Sequence, residues 1–325
     1  MIKAIRIYQH GPAEVMRWED VEIGDPGPGQ VRLRHTAVGL NYRDIYVRNG
    51  VNALKSFPSG IGIESAGVIE AVGPGVTGIT LGQRVACVAG PDDAYAEARL
   101  APAARVVPLP DEIDDSTAAS MMIRGMTARY LLRDTCAVKP GDAILIHAAA
   151  GGVGLIVCQW AKQLGATVIG TVGTPEKAEL ARAHGCDHPI IYTSEDFAGR
   201  VRMITGGAGV AVVYDSIGKA TFEGSLRCLR PRGVLASFGE SSGDPEPIAP
   251  RRLGQLGSIF LTHPSLPDYT ATREALLAAA NDLFDMVKSG RVKIRINQTY
   301  PLAEAARAHR DMESRKTTGS TVLIP

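Results

Sequence analysis

The stretch HAAAGGVGLIVCQWAKQLGA, residues 147–166, constrains the fold of this 325-residue chain more than any other. It is long and apolar, yet it is no membrane span, which needs about 20 residues apolar throughout. His147, Gln159 and Lys162 interrupt it, and Gly151, Gly152 and Gly154 cluster within it. Upstream, KPGDAILI reads as a Pro-Gly-Asp turn followed by a short apolar strand, Ala143–Ile146. Downstream, Leu155–Leu164 carries helix formers and stops at Gly165, and ATVIGTV reads as a second strand. Strand, glycine loop, helix and strand make half of a βαβ unit, whose return strand is parallel. Ala149, Gly151 and Gly154 fill the three slots of the dinucleotide fingerprint. Small residues there permit a tight turn, close approach to a pyrophosphate, and packing of the helix on the strand. The helix N-terminus then offers N–H groups and a positive dipole end to phosphate.

An NAD site usually places a carboxylate about 20 residues on, at the end of the second strand, to bond the ribose hydroxyls. Here Val172 and Gly173 stand at that point, and Lys177 follows. A missing acid and a nearby ammonium favour NADP(H) over NAD(H).

Beyond this unit, helical and strand patterns alternate to about Leu261: PEKAELARAHGCD, HPIIY, DFAGRVRMITGGAG, VAVVYDSIG, ATFEGSLRCLRPRG and VLASFGESSG. That alternation predicts a doubly wound parallel sheet with its ligand beyond the strand C-termini. The first 120 or so residues differ. GPGQVRLRHTAVGLN, GIGIESAGVIEAVGPGV and LGQRVACVA read as short strands punctuated by Gly and Pro. The tail holds an amphipathic helix (TREALLAAANDLFDMVKSG) and two strands around AEAARAHRDMES, and is placed back on the first domain. The expected organisation is a β-rich domain over 1–121, a Rossmann domain over 122–262, and a return to the first domain over 263–325. A site is expected in the cleft between them.

Composition narrows the function. Hydrophobic residues make up 45% and charged residues 21%, and the net charge of +1 supplies no basic field for nucleic acid or anionic lipid. The five cysteines are odd in number and none is within metal-clip spacing of another, which argues for a reducing cytoplasm and against a disulfide framework. MIKAIRIYQHGPAEV lacks an apolar h-region and reads as a first strand.

The residues GDAILIHAAAGGVGLIVCQWAK resemble the signature of the quinone oxidoreductase (zeta-crystallin) branch of the medium-chain dehydrogenases/reductases. VGLNYRDIYVRNG and GIGIESAGVIEAVGPGV are similar to its N-terminal motifs, and YPLAEAARAHRDMESRKTTGSTVLIP to its C-terminal closure. The resemblance implies an α/β fold with a Rossmann domain inserted in a GroES-like catalytic domain. It also implies NADPH, a homodimer, and hydride delivery to quinones or conjugated carbonyls. By motif position the cofactor contacts would be Asn41 and Tyr130, then Ala149, Gly151, Gly152, Val153 and Gly154 of the loop. Gly173, Thr174, Lys177 and Tyr192 would follow, then Ser216, Phe238, Gly239 and Ser241, and finally Arg315. His263 to Ser265 would lie near the nicotinamide.

Zinc-dependent relatives place a Cys where this chain has Asn41 and a His–Glu pair where it has Ile63-Glu64. Glu64 and scattered histidines do not make a three-ligand tetrahedral set, so no metal is expected. Asn41 is expected to position the nicotinamide or bond a quinone oxygen, and Tyr46 to bond or stack on the acceptor. Asp44 also reads as a local cap, and Arg48 as structural or surface. No residue stands out as a general acid, and water is expected to protonate the reduced acceptor. His147 is expected to satisfy backbone groups, and His184, His188 and His309 to sit at helix ends or on helix surfaces. Met121, Met122 and Met126 read as core.

Two departures from the family stand out: Asn52, where relatives often carry tyrosine, and Glu240, where an uncharged side chain is more usual. Glu240 would weaken NADPH preference beside the 2′-phosphate and do nothing facing solvent. Two other readings stand beside quinone reduction. One is a 2-alkenal or enone reductase. The other is a non-catalytic nucleotide-binding protein, since some relatives are lens structural proteins or bind RNA. GSIFLTHP is a candidate edge strand for pairing across a two-fold axis.

Overall fold

The computed structural model describes residues 1–88 and 92–325. Its chain folds as two compact units: 1–123 with 270–288 and 294–325, and 124–269 with 289–293.

The first unit is built on β-strands. β1 (Ile2–Arg6) and β2 (Arg17–Val21) form an antiparallel pair. A seven-stranded sheet is built from β3 (Gln30–Leu40), β4 (Glu64–Val72), β5 (Arg84–Val88), β6 (Ala98–Pro102) and β7 (Val106–Pro108), with two strands from the tail. The strand expected in LGQRVACVA is β5; its last residue, Ala89, lies outside the described residues. Val31, Leu33, Ile69, Val85 and Cys87 pack on one another as the alternation predicts. The helix α1 (Tyr42–Asn49) interrupts the strands. Reading only strands here missed its signals. The Asn41 N–H donates to the Asp44 carboxylate, a capping pair three residues apart, and Gly50 ends the helix at φ 91°. The chain leaves this unit along α2 (Asp115–Tyr130), where Met121, Met122 and Met126 are buried as expected.

The second unit alternates strand and helix: β8 (Ala143–Ile146), α3 (Gly152–Gln163), β9 (Thr167–Val172), α4 (Pro175–Ala183), β10 (His188–Ile191), α5 (Phe197–Ile204) and β11 (Val210–Asp215). There follow α6 (Phe222–Cys228), β12 (Leu229–Ser237), α7 (Pro250–Gln255), β13 (Phe260–Thr262) and α8 (Leu266–Tyr269). All six strands are parallel, in the order β10-β9-β8-β11-β12-β13, which is the doubly wound order 3-2-1-4-5-6. The continuous apolar runs of β8 and β11 are explained by helices covering both faces.

The tail supplies α9 (Arg273–Lys288), β14 (Ile296–Pro301), α10 (Ala305–Glu313) and β15 (Ser320–Ile324). β15 pairs antiparallel with β3 and parallel with β14, which returns through α10. Tyr300, Leu302, Ala305, Ala308 and Leu323 complete a core begun by Ile5, Ile7, Val38 and Leu40. The return begins later than the expected residue 263. Tyr269 stacks on Tyr130 at 4.4 Å and its hydroxyl bonds Thr135, so 263–269 stay with the second unit. Lys293 exchanges backbone bonds with the Gln159 amide, which keeps 289–293 there too.

An ion pair between a buried guanidinium and an exposed carboxylate ties α10 to α1. Arg48, 2% exposed, donates to both oxygens of Glu313 at 2.6 and 3.0 Å and to the Gly11 carbonyl. Glu313→Ala strips this guanidinium of its bidentate partner and is expected to cost about 1–2 kcal/mol of unfolding free energy, since the carboxylate is exposed. A urea transition that does not move would show the pair to be marginal.

Candidate active site

The strand C-termini of the second unit gather the expected nucleotide residues along one edge. After β8 the chain turns through Ala148 at φ 52°, and the Gly151 N–H bonds the Ala148 carbonyl at 2.8 Å. A Cβ at Gly154 would stand 2.3 Å from that carbonyl oxygen and 2.8 Å from Ala149 Cα, so only glycine lets α3 start against the loop. Ala149, in the first slot, is fully buried, and a Cβ on Gly170 of β9 would come within 2.6 Å of its methyl. The missing side chain at Gly170 is what lets alanine stand where glycine is usual. Gly152 and Val153 open the first turn of α3, whose N–H groups have no intrahelical acceptor. A bare backbone cradle at a helix N-terminus fits a diphosphate.

Beyond β9, Thr174 caps α4, accepting from the Lys177 N–H, and Lys177 is half-buried in the first turn. A Cβ on Gly173 would meet the Tyr192 hydroxyl at 3.1 Å, so Gly173, Thr174, Lys177 and Tyr192 share this corner. Exposed Glu176 stands in the same turn, its carboxyl held below the usual range by the Thr174 hydroxyl.

The loops after β11 and β12 are laced together. Phe238 N donates to the Asp215 carbonyl and Ser241 N to the Ser216 carbonyl, and a Cβ on Gly239 would stand 3.1 Å from that same Ser216 oxygen. Beyond β13, the Tyr130 hydroxyl reaches the Pro264 carbonyl between His263 and Ser265, which are exposed. Glu240 lies in the loop after β12, three strands from β9, a quarter exposed, and faces His263 Nδ1 at 3.5 Å.

Below the loop lies a network that the sequence reading missed. His147 bonds the hydroxyls of Thr171 (2.8 Å) and Ser225 (2.9 Å) rather than backbone groups, and Ser225 donates to Asp215. Two other histidines also depart from expectation. His188 starts a strand, and His309 is buried, not on a helix surface. His184 does sit at a helix end as expected, capping α4, where it is buried and faces the Leu180 carbonyl.

Asn41, Tyr46 and Arg315 lie on the first unit. Buried Asn41 gives its amide N–H to Glu64 at 2.7 Å, which fixes the carboxamide, and Glu64 also accepts from the Ile123 N–H. Tyr46 is half-buried, edge-on to Tyr42 at 5.2 Å. Arg315 is exposed just past α10, at φ 59°.

Behind Asn41 runs a buried chain of fixed direction. Arg48 can only donate, so His309 Nδ1 accepts it. The His309 Nε2–H then donates to the Tyr95 oxygen, and the Tyr95 hydroxyl to Asp44. Burial lowers the His309 pKa to about 3, which keeps the ring neutral. Burial also raises the Asp44 carboxyl to about 6, and its second oxygen has no partner among the described residues.

Among the described residues no group of three His, Cys, Asp or Glu side chains could hold a metal, and no helix is long and apolar enough to cross a membrane.

Two family profiles match: the alcohol dehydrogenase GroES-like domain over residues 27–111 and the zinc-binding dehydrogenase over 152–279. The chain is 48% identical to a quinone oxidoreductase of Pseudomonas aeruginosa over the full length of both. It is 50% identical to a 2-haloacrylate reductase of a Burkholderia species, covering 100% of this chain and 99% of that one. The crystal structure of Escherichia coli quinone oxidoreductase complexed with NADPH superposes with a TM-score of 0.97 at 44% identity, covering 99% of this chain and all of that one. The chain belongs to the quinone oxidoreductase branch of the medium-chain dehydrogenases/reductases.

Helix α1 is held by the buried groups just described, and Asp44 makes that hold pH-sensitive. A carboxyl raised from 3.8 to about 6 by burial disfavours its own ionised form. The folded state therefore bears a cost above pH 6 that fades as pH falls toward 4. Asp44→Asn keeps the acceptor oxygen and removes the charge. The stability of wild type relative to this variant is expected to rise by about 2.4 kcal/mol from pH 8 to pH 4. Parallel denaturation curves at both pH values check this; a constant difference would mean that Asp44 titrates normally.

Proposed function

We propose that this chain reduces quinones with NADPH, by hydride transfer and without a metal. The observation that carries the reading is the glycine cradle at residues 149–154, at the carboxyl edge of a doubly wound sheet, in a chain similar over its full length to an enzyme solved with NADPH.

The cradle and the first turn of α3 would hold the diphosphate through backbone N–H groups. Thr174, Lys177 and Tyr192 would take the adenosine end, with Lys177 on the 2′-phosphate, because β9 ends in Val172 and Gly173 without a carboxylate. Ser216, Phe238, Gly239, Ser241 and the 263–265 segment would take the nicotinamide half, with Tyr130 supporting the last of these. Arg315 would be a further cofactor contact. Asn41, its amide oriented by Glu64, and Tyr46 would position the acceptor. Bound NADPH supplies the hydride, and an electron-poor acceptor takes it without Lewis-acid help. The absence of zinc is supported by Asn41 and Ile63, which are not ligands, and by the commitment of Glu64 to Asn41 and Ile123. Stoichiometric zinc by elemental analysis would overturn that part.

A second reading, reduction of a carbon–carbon double bond conjugated to a carbonyl, is favoured by the 50% identity to a 2-haloacrylate reductase. Steady-state assays with benzoquinone, a naphthoquinone and a 2-alkenal decide between the two. The expected result is turnover with quinones at the highest kcat/KM. Tight NADPH binding with no turnover on any acceptor would favour the non-catalytic role. The edge position of β13 and the exposure of Phe260 and Leu261 support a homodimer paired along this strand, which light scattering showing a monomer would overturn. Free cysteines, four of the five buried, support a reducing, cytoplasmic setting, and the net charge of +1 argues against nucleic acid as a partner.

Lys177→Ala is expected to weaken NADPH roughly tenfold more than NADH, as loss of a charge-assisted phosphate contact does. Equal losses in Kd for the two nucleotides would remove the lysine from the phosphate site.

A further inference from the structure

We propose that the buried chain Asp215–Ser225–His147–Thr171 braces the strained residue Ala148, and that His147 and Thr171 are thereby positioning residues for the dinucleotide. The inference rests on the NADPH reading above.

All four side chains are at most 2% exposed. Asp215 is the acceptor end. Its Oδ1 takes the N–H groups of Ile217 and Gly218, the Thr221 hydroxyl reaches both of its oxygens, and its Oδ2 takes the Ser225 hydroxyl at 2.7 Å. With its proton committed, Ser225 accepts from His147 Nε2–H at 2.9 Å. His147 Nδ1 is left to accept the Thr171 hydroxyl at 2.8 Å. Every bond then has one direction and the imidazole is neutral, in keeping with the downward shift that burial imposes on it. The ring is further fixed by Phe197, edge-on at 5.0 Å.

The chain matters because of what it borders. Ala148 sits at φ 52°, in the left-handed region that costs a residue with a Cβ. Its carbonyl is the oxygen that the Gly151 N–H grips and that a Cβ at Gly154 would strike, so its peptide sets the shape of the cradle. Both neighbours are tied down. His147 N donates to the Tyr214 carbonyl and its ring to the network, while Ala149 N donates to the Thr171 carbonyl at 3.0 Å. Thr171 thus holds one side of Ala148 through its main chain and the other through its hydroxyl. Strain of this kind persists only where the surroundings over-determine it.

The test is a double-mutant cycle on the full chain, read as the Kd for NADPH by fluorescence titration and as the melting temperature. Thr171→Val removes the hydroxyl and keeps shape and carbonyl. It is expected to raise the Kd about five- to tenfold. In the Ala148→Gly background, where the left-handed bend is unstrained, the same substitution is expected to raise it less than about twofold. An equal penalty in both backgrounds, or a lowered melting temperature with an unchanged Kd, would overturn the proposal. So would nitrogen-detected NMR of the unliganded wild type placing the His147 proton on Nδ1, a measurement that needs no variant. A wild type that fails to bind NADPH would instead overturn the functional reading.

Discussion

The approach of α3 to the backbone of residues 148–149 is the contact on which the nucleotide unit depends. The 2.3 Å between the Ala148 carbonyl and the place of a Gly154 Cβ leaves no room for any side chain. Because the helix begins there, its N-terminal N–H groups face the carboxyl edge of the sheet. The parallel order with β8 beside β11 is what makes that edge a crevice, since the strand order reverses at that point.

Buried polar chains supply the rigidity that glycine cannot. In one unit Asp215, Ser225, His147 and Thr171 run beneath the loop; in the other Arg48, His309, Tyr95 and Asp44 run behind the helix that carries Tyr46. Each has a neutral histidine in its middle and a carboxylate at its accepting end. Buried polar groups are costly unless every member is satisfied. The two chains meet this unequally, since Asp44 keeps an unpartnered oxygen while both oxygens of Asp215 are bonded. The hold on α1 therefore weakens as pH rises past the Asp44 pKa that burial has raised.

Much of the fold was legible in the chain. The alternation from Ala143 onward, the three loop slots and the missing acid after β9 are local patterns, and they correspond to the strands, cradle and corner observed. The tail was legible because its apolar residues had no core of their own. Helix α1 was missed although its capping residues Asn41 and Asp44 and its stop at Gly50 were all present. The histidines were misjudged because position along an element does not say what packs against it: His309 lies on an ordinary helical pattern yet is buried against Tyr95 and Arg48. The contact of Glu240 with His263 was not legible because the two are 23 residues apart in sequence and adjacent only through the pairing of β12 and β13.

The sequence alone determined the kind of element at each place and the chemistry of the loop, because glycine spacing, periodicity and the absence of a carboxylate act over a few residues. Tertiary structure decided which side chains share a proton, which alanine the loop strains, and where each unit takes back the tail. Those depend on contacts between residues far apart in the chain, such as Thr171 with His147 or Glu313 with Arg48, whose partners no local pattern specifies.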